Sequence, residues 1–388
     1  MGRISRIART LTSTLELGAP QAIATTSADV SCRLLEVDYA GIENVLTGYY
    51  LWKHGVATAE EAYQYIRWGQ LGLHAAVTAL YVGDPAFPAW PDDQIKAHLS
   101  KIKKSQPVKY DIVKRVDHGT GYGLTPYGMV EMFPEYFKSI SDAAHVQSFL
   151  FKLAPGLPKW HHALRRQSKD HGMLGGTSAP GTPPSRWDHP FGYRHWFWDV
   201  LAYKPCDEVT ARKWLGDPAR AGRIVNLHGR WFKVEYGGDS KRVIAFYPQS
   251  TGSGVLKRAE LRLFHPESPD YIGDAYFGRT PLLHPIHDAL FLHLPVAIYD
   301  RVLAIVVRVM QDEIRQLPIP PEWGMGKYLR INVAAKGGRT WDSRDMHEVP
   351  VAPIVYDQRV VSSVEDSDVI ARDDADEELW DLLARRIS

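Results

Sequence analysis

The sequence predicts an α+β fold, and three stretches carry that prediction. A short alternating strand over residues 33–38 ends on Asp38, a mostly helical run follows from Ile42 to Tyr122, and two apolar strands between Leu282 and Leu294 return with His287 and Asp288 at their bend. Strands near both ends of a chain, with helices between them, segregate into a sheet layer and a helical layer.

Arg33-Leu-Leu-Glu-Val-Asp38 reads as a half-buried strand that delivers its carboxylate to a strand-to-helix junction, because Ile42 to Trp52 has a helical pattern. A second helix is predicted from Ala59 to Leu80, with Thr58 as its N-cap and Glu61 completing a capping box. Gly83 to Pro91 breaks the chain, and Asp92 to Lys104 restarts as a basic helix before another centred on Lys114. Gly, Pro, Ser and Thr dominate Gln167 to Ser185, which predicts a surface loop or insertion. Beyond it, Tyr193 to Tyr203 is aromatic and strand-like, and Arg223 to Tyr236 reads as two short strands around His228-Gly229. Gly252 to Leu263 reads as an amphipathic helix. After the hairpin, a helix is predicted from Val296 to Arg315, since Val302, Ile305, Val306 and Val309 recur at helical spacing.

The chain has 388 residues, 45% hydrophobic and 23% charged, a globular composition with room for more than one small domain. Only Cys32 and Cys206 occur, which excludes a disulfide framework and a Cys-rich zinc site and predicts a cytoplasmic protein. The apolar stretch from Val302 to Val309 is interrupted by Arg308 and falls far short of the roughly 20 residues that span a bilayer. No membrane partner is expected. Asp and Glu crowd residues 365–381, leaving the rest of the chain basic, as suits a nucleic-acid partner. That acidic tail reads as a solvated segment or, through Leu379 to Leu383, as a partner-binding peptide. Residues 1–31, rich in Arg, Ser and Thr, superficially suit an organelle transit peptide but lack an apolar signal core.

Three constellations carry chemistry. Asp38-Tyr39-Ala40-Gly41-Ile42-Glu43 places two carboxylates at a strand-to-helix junction, and Ile286-His287-Asp288-Ala289 places a third at a hairpin bend. Carboxylates on neighbouring strands are what a two-metal phosphoryl-transfer site requires. Between them, Tyr110, Lys114, His118 and Tyr122 are spaced by four and so share one helix face. Each has a plainer reading: Asp38 as a helix cap, Glu43 as a solvated helix carboxylate, the Lys114 stretch as a basic helix with a glycine stop, and the hairpin as core. His284, His287 and His293 also suggest zinc, though without a cysteine partner.

The order of these motifs resembles the family A, Pol I-like DNA polymerases. Asp38 to Glu43 resembles that family's first palm motif, Lys114 to Gly123 its fingers helix, and His287-Asp288 its His-Asp-Glu hairpin, with Ala289 in place of the last acid. Looser matches are Gly2-Arg3-Ile4-Ser5, Phe191-Gly192-Tyr193-Arg194, the Pro248-Gln249 helix start and Gly337 to Asp342. The resemblance implies a right-hand palm of antiparallel sheet with flanking helices plus mostly helical fingers, with thumb and exonuclease domains absent. It implies palm over 1–60 and 241–355, fingers over 61–240 with an insertion near 167–185, and the acidic tail over 356–388.

In the same way it implies that Asp38 and Asp288 bind two Mg²⁺ ions and that Lys114 neutralises the triphosphate and protonates the departing pyrophosphate. Glu43 is implied as the steric gate against a ribose 2′-hydroxyl. His118 and Tyr122 complete the nucleotide pocket, along with Lys109 and Tyr110, which stand where the family has an Arg. Arg3, Gln249, His287 and Arg242 would contact primer-template DNA. The implied activity is template-directed DNA synthesis from dNTPs, in a bacterial host cell if phage-encoded, with either a second chain supplying the thumb and exonuclease or a truncated gene model accounting for their absence. A catalytically silent primer-template-binding subunit and a single-subunit RNA polymerase are the rival readings, and Glu43 argues against the latter.

Overall fold

The computed structural model describes residues 31–84, 87–179, 182–216, 224–342 and 344–354. The chain enters as strand β1 (Cys32–Tyr39) and runs through helices α1 (Ile42–Lys53), α2 (Ala59–Leu71), α3 (Leu73–Tyr81), α4 (Asp92–Ser105), α5 (Pro107–Gly121), α6 (Pro126–Met132), α7 (Ile140–Leu153) and α8 (Leu157–His171). Strands β2 (Met173–Gly175) and β3 (Arg194–Trp196) pair with each other. A three-stranded sheet follows, built from β4 (Leu201–Pro205), β5 (Ile224–Leu227) and β6 (Arg230–Tyr236), with α9 (Glu208–Leu215) after β4. Helix α10 (Ser240–Phe264) leads to the hairpin β7 (Leu282–Ile286) and β8 (Ala289–Pro295), then α11 (Tyr299–Met310), the pair β9 (Ile314–Pro318) and β10 (Tyr328–Leu329), and lastly β11 (Val333–Gly338) and β12 (His347–Val349).

Five of these strands make one antiparallel sheet in the order β12-β11-β1-β8-β7, so that β1 sits at its centre with strands from the far end of the chain on both sides. The fold is therefore α+β, as the sequence predicts. Side chains alternate across β1: Leu35, Val37 and Tyr39 are buried in the core, while Glu36 and Asp38 point to the other face. The core side is covered by α11 against β1 and by α10, whose Arg258 and Arg262 lie near Tyr39. Burying each such aliphatic side chain contributes about 1.5–3 kcal/mol.

Helix α10 is longer than predicted, beginning at Ser240 rather than Gly252, and it is buried on most sides, including Val243, Ile244, Tyr247 and Val255. Pro248 lies inside it, and small residues set how closely its neighbours approach. A side chain at Gly254 would run into the Phe191 ring. Thr251 and Tyr50 share a buried hydroxyl hydrogen bond of 2.5 Å that ties α10 to α1. Behind the sheet, Arg262 bridges Asp270 and Asp312, at 2.6 Å each, while Arg308 reaches Asp270 at 2.7 Å.

Other boundaries also differ from expectation. The single helix predicted over 59–80 is two, because Gly72, at φ 116°, ends α2 and starts α3; the apolar pattern continues across the break and hides it. The predicted capping box at Thr58 and Glu61 is present. The loop expected from Gln167 begins only after His171, since α8 continues through polar residues 165–171 until Gly172 stops it in the left-handed region. The helix expected over Val296 to Arg315 is a short 3-10 turn followed by α11, and Ile314 already belongs to β9. Tyr193 to Tyr203 resolves into β3 and β4 with a break between them. The Arg3 segment, the transit-peptide stretch up to residue 30 and the acidic tail lie outside the described residues.

Candidate active site

Asp38 and Asp288 come together because β1 and β8 pair antiparallel. Asp38 lies across from Ala289, and the Tyr39 amide donates to the Asp288 carbonyl at 3.2 Å. The β7–β8 connection is a two-residue loop, His287 and Asp288, closed by the Ile286–Ala289 pair. His287 has φ 55°, and positive φ at the first loop position suits the right-handed twist of the flanking strands. The tight turn places His287 in solvent and sets Asp288 beside β1.

The two carboxyls titrate as a pair. Burial is the main reason that Asp38 is pushed up to about 7, with the Asp288 charge, the hydrogen bond between them and Glu36 adding to it. Asp288 is raised as well, by burial and by Glu43, although its hydrogen bond from Asp38 opposes the shift. Asp38 Oδ1 is buried without a hydrogen-bond partner. A buried, unpartnered carboxylate oxygen beside a second carboxylate is costly when ionised unless a proton or a cation neutralises it. The pair therefore fits a divalent cation held by one or two carboxylates, which takes its remaining oxygens from water and phosphate. No group of three or more His, Cys, Asp or Glu gathers as a metal cluster among the described residues, so the alternative of zinc on His284, His287 and His293 has no support here.

Glu43 reaches this region from the first turn of α1. The chain turns from β1 into α1 at Gly41, whose φ of 63° falls in the left-handed region. A Cβ there would lie 2.7 Å from the Gly69 carbonyl oxygen of α2. Gly48 and Gly69 continue the same seam, since side chains there would press on Ile66 and Val45. Glycine at these positions lets α1 lie against α2 and fixes the direction in which Glu43 leaves the helix.

Helix α5 supplies the opposite wall. Tyr122 caps its C-terminus and donates to both Glu43 oxygens, at 2.8 and 2.7 Å. Gln249 of α10 donates to the Tyr122 oxygen at 3.0 Å, so three predicted site residues from three helices meet at one phenol. Burial and the Glu43 charge raise the Tyr122 pKa, which keeps it a donor. Lys114 and His118 are exposed on α5. His118 lies below the ordinary imidazole value because desolvation and the neighbouring His74 outweigh Asp117 and Glu43.

Other predicted residues sit elsewhere on these elements. Lys109 places its ammonium over the Tyr81 ring at 5.5 Å, and Tyr110 packs between His74 and Lys103. Arg242 is exposed at the start of α10 and pairs with Asp239 at 3.0 Å. Sequence reasoning missed four participants. Glu36 and Lys336 lie on the Asp38 face and pair across β1 and β11 at 3.3 Å; period-two alternation from Asp38 could have found Glu36. His74 and the buried Asp117 meet at 2.7 Å beneath His118, and Asp117 falls outside the spacing by four that joins Tyr110, Lys114, His118 and Tyr122.

No protein-family model matches the chain, and no curated protein matches it. Among solved structures, it is similar to the POL domain of Pol1 from M. smegmatis in complex with DNA primer-template and dNTP, with 17% sequence identity and a TM-score of 0.48. The likeness covers 81% of this chain and 41% of that one, so the chain spans about two fifths of that chain's length.

Proposed function

We propose that this chain is a template-directed DNA polymerase of the family A kind, which transfers nucleotides from dNTPs to a primer 3′-hydroxyl. The five-stranded sheet serves as palm and the region from α2 to β6 as fingers. The observation that carries the reading is the Asp38–Asp288 pair, one carboxyl on β1 and the other in the β7–β8 turn beside it, within reach of the charge of Glu43, which Tyr122 and Gln249 hold.

Asp38 and Asp288 would hold two Mg²⁺ ions. When bound, those ions supply charge stabilisation at the α-phosphate, the attacking 3′-oxygen and the departing pyrophosphate. Lys114 offers its ammonium to the triphosphate and a proton to the leaving group. Glu43, held by Tyr122, occupies the space a 2′-hydroxyl needs. A half-buried carboxylate fixed there rejects ribose because the hydroxyl would crowd it and displace its remaining water. Gln249 holds Tyr122 and lies exposed beside the same space, and His287 projects from the hairpin, where each can meet primer-template DNA.

The Glu43–Tyr122 pair also favours DNA synthesis over RNA synthesis. Single-nucleotide extension of a DNA primer with dNTP or rNTP tests this. The wild type should prefer dNTP strongly, and Glu43→Ala should raise rNTP incorporation by at least about tenfold, equivalent to roughly 1.4 kcal/mol of lost discrimination. Equal use of both nucleotides by the wild type would overturn the assignment.

A further inference from the structure

A second concave surface lies between α8 and the three-stranded sheet, a cleft of about 320 Å³. One wall is basic: His162, Arg165, Arg166 and Lys169 recur at three- and four-residue spacing along one face of α8. The other wall carries Tyr203 and Tyr236, both exposed. Its acid, Glu235, is already paired with Lys204 at 2.5 Å, whereas Arg166 and Lys169 have no ion-pair partner among the described residues. The Arg165 guanidinium lies 4.3 Å from the centre of the Tyr236 ring, and its Nε is buried without a partner.

Aromatic surface continues beyond the end of α8. Trp196 of β3 lies against Gly172 and stacks on Trp198, with ring centres 5.8 Å apart and planes within 11°. Trp198 is 83% exposed and Trp196 49%, so this pair leaves ring faces in water that no core contact explains. The cleft also adjoins the candidate active site, since a Cβ at Gly123 would lie 2.7 Å from Arg165 Nη2, and Gly123 follows Tyr122.

Free cations along a groove attract a phosphate backbone, and open ring faces attract unpaired bases. A duplex offers the first match but not the second, because its base faces are already stacked. We propose that this cleft and the Trp196–Trp198 pair bind single-stranded nucleic acid, with bases on the rings and phosphates along Arg166 and Lys169. Its assignment to the unpaired template strand rests on the polymerase reading; single-strand binding itself does not.

Fluorescence anisotropy with a labelled oligothymidylate, in chelator and without nucleotide, tests the cleft separately from catalysis. Trp198→Ala should weaken binding about tenfold, the loss expected for one stacked base. Combined Arg166→Glu and Lys169→Glu should also weaken it and flatten the log–log salt slope by about 1.4, two phosphate contacts at about 0.7 each. Blunt duplex binding should change less in both variants, and circular dichroism should show both folded. Oligothymidylate affinity unchanged in both folded variants, or an equal loss for blunt duplex, would overturn the proposal. Because oligothymidylate binding is read in chelator and without nucleotide, it can hold when wild-type primer extension fails and fail when extension holds, so failure of the polymerase reading and failure of the cleft give different results.

Discussion

Replacing Asp38 by Asn separates what this carboxyl does for chemistry from what it costs the fold. Its folded value, about 7, lies above the ordinary 3.8, so the folded state binds the proton more tightly than the unfolded chain. The resulting stabilisation is fully present below pH 3.8 and is lost as pH rises through 7. Asp38→Asn should therefore raise the melting temperature of metal-free protein by a few degrees at pH 8, with the gain shrinking toward pH 4, as thermal melts in chelator would show. A variant that melts lower than wild type at pH 8 would contradict this account of the pair. That Asp38 and Asp288 come together was foreshadowed in the sequence by a strand end and a hairpin bend, whereas Glu43 was singled out only through the resemblance. Tyr122 was legible as a member of the α5 face, but its hydrogen bonds to Glu43 and from Gln249 were not, since they join residues 79 and 127 positions apart.

At the scale of elements, the glycine seam between α1 and α2 sets the direction of Glu43. Gly41→Ala puts a Cβ against the Gly69 carbonyl at a positive φ, so the variant should lose roughly 1–3 kcal/mol of stability. Chemical denaturation measures that loss, and a variant as stable as wild type would remove the seam from the argument. The strands β1, β7 and β8 were readable because their apolar pattern is short, alternating or continuous, and bounded by turn residues. Gly72, the start of α10 and the end of α11 were not. Helical periodicity runs unbroken through Gly72, α10 is too evenly buried to show a polar face, and Ile314 continues the apolar rhythm of α11 into a strand.

At the scale of the molecule, three buried histidines, His54, His161 and His189, help set the acid limit of the fold. Burial holds His161 and His189 down to about 3 and His54 well below the ordinary 6.5. The unfolded chain takes up their protons first as pH falls. Their stabilisation is thus present above pH 6.5 and lost below it, by up to about 1.4 kcal/mol per histidine for each pH unit. Melts between pH 7.5 and 5 should show a falling midpoint, and Asp38→Asn should steepen the fall because Asp38 works in the opposite direction; a flat wild-type profile would contradict it. The α+β plan was legible at this scale from strands near both ends of the chain. The sheet order was not, because the pairing of β1 with β11 joins residues about 300 positions apart and neither strand's own pattern names its partner.

The most direct test of the account is Mg²⁺-dependent extension of a primed DNA template by wild type, Asp38→Asn and Asp288→Asn. The account predicts dNTP incorporation by the wild type and its loss, by a factor of about a thousand or more, in each folded variant. Extension that survives both substitutions would contradict it, because the two carboxylates on which the site is built would then not carry the chemistry.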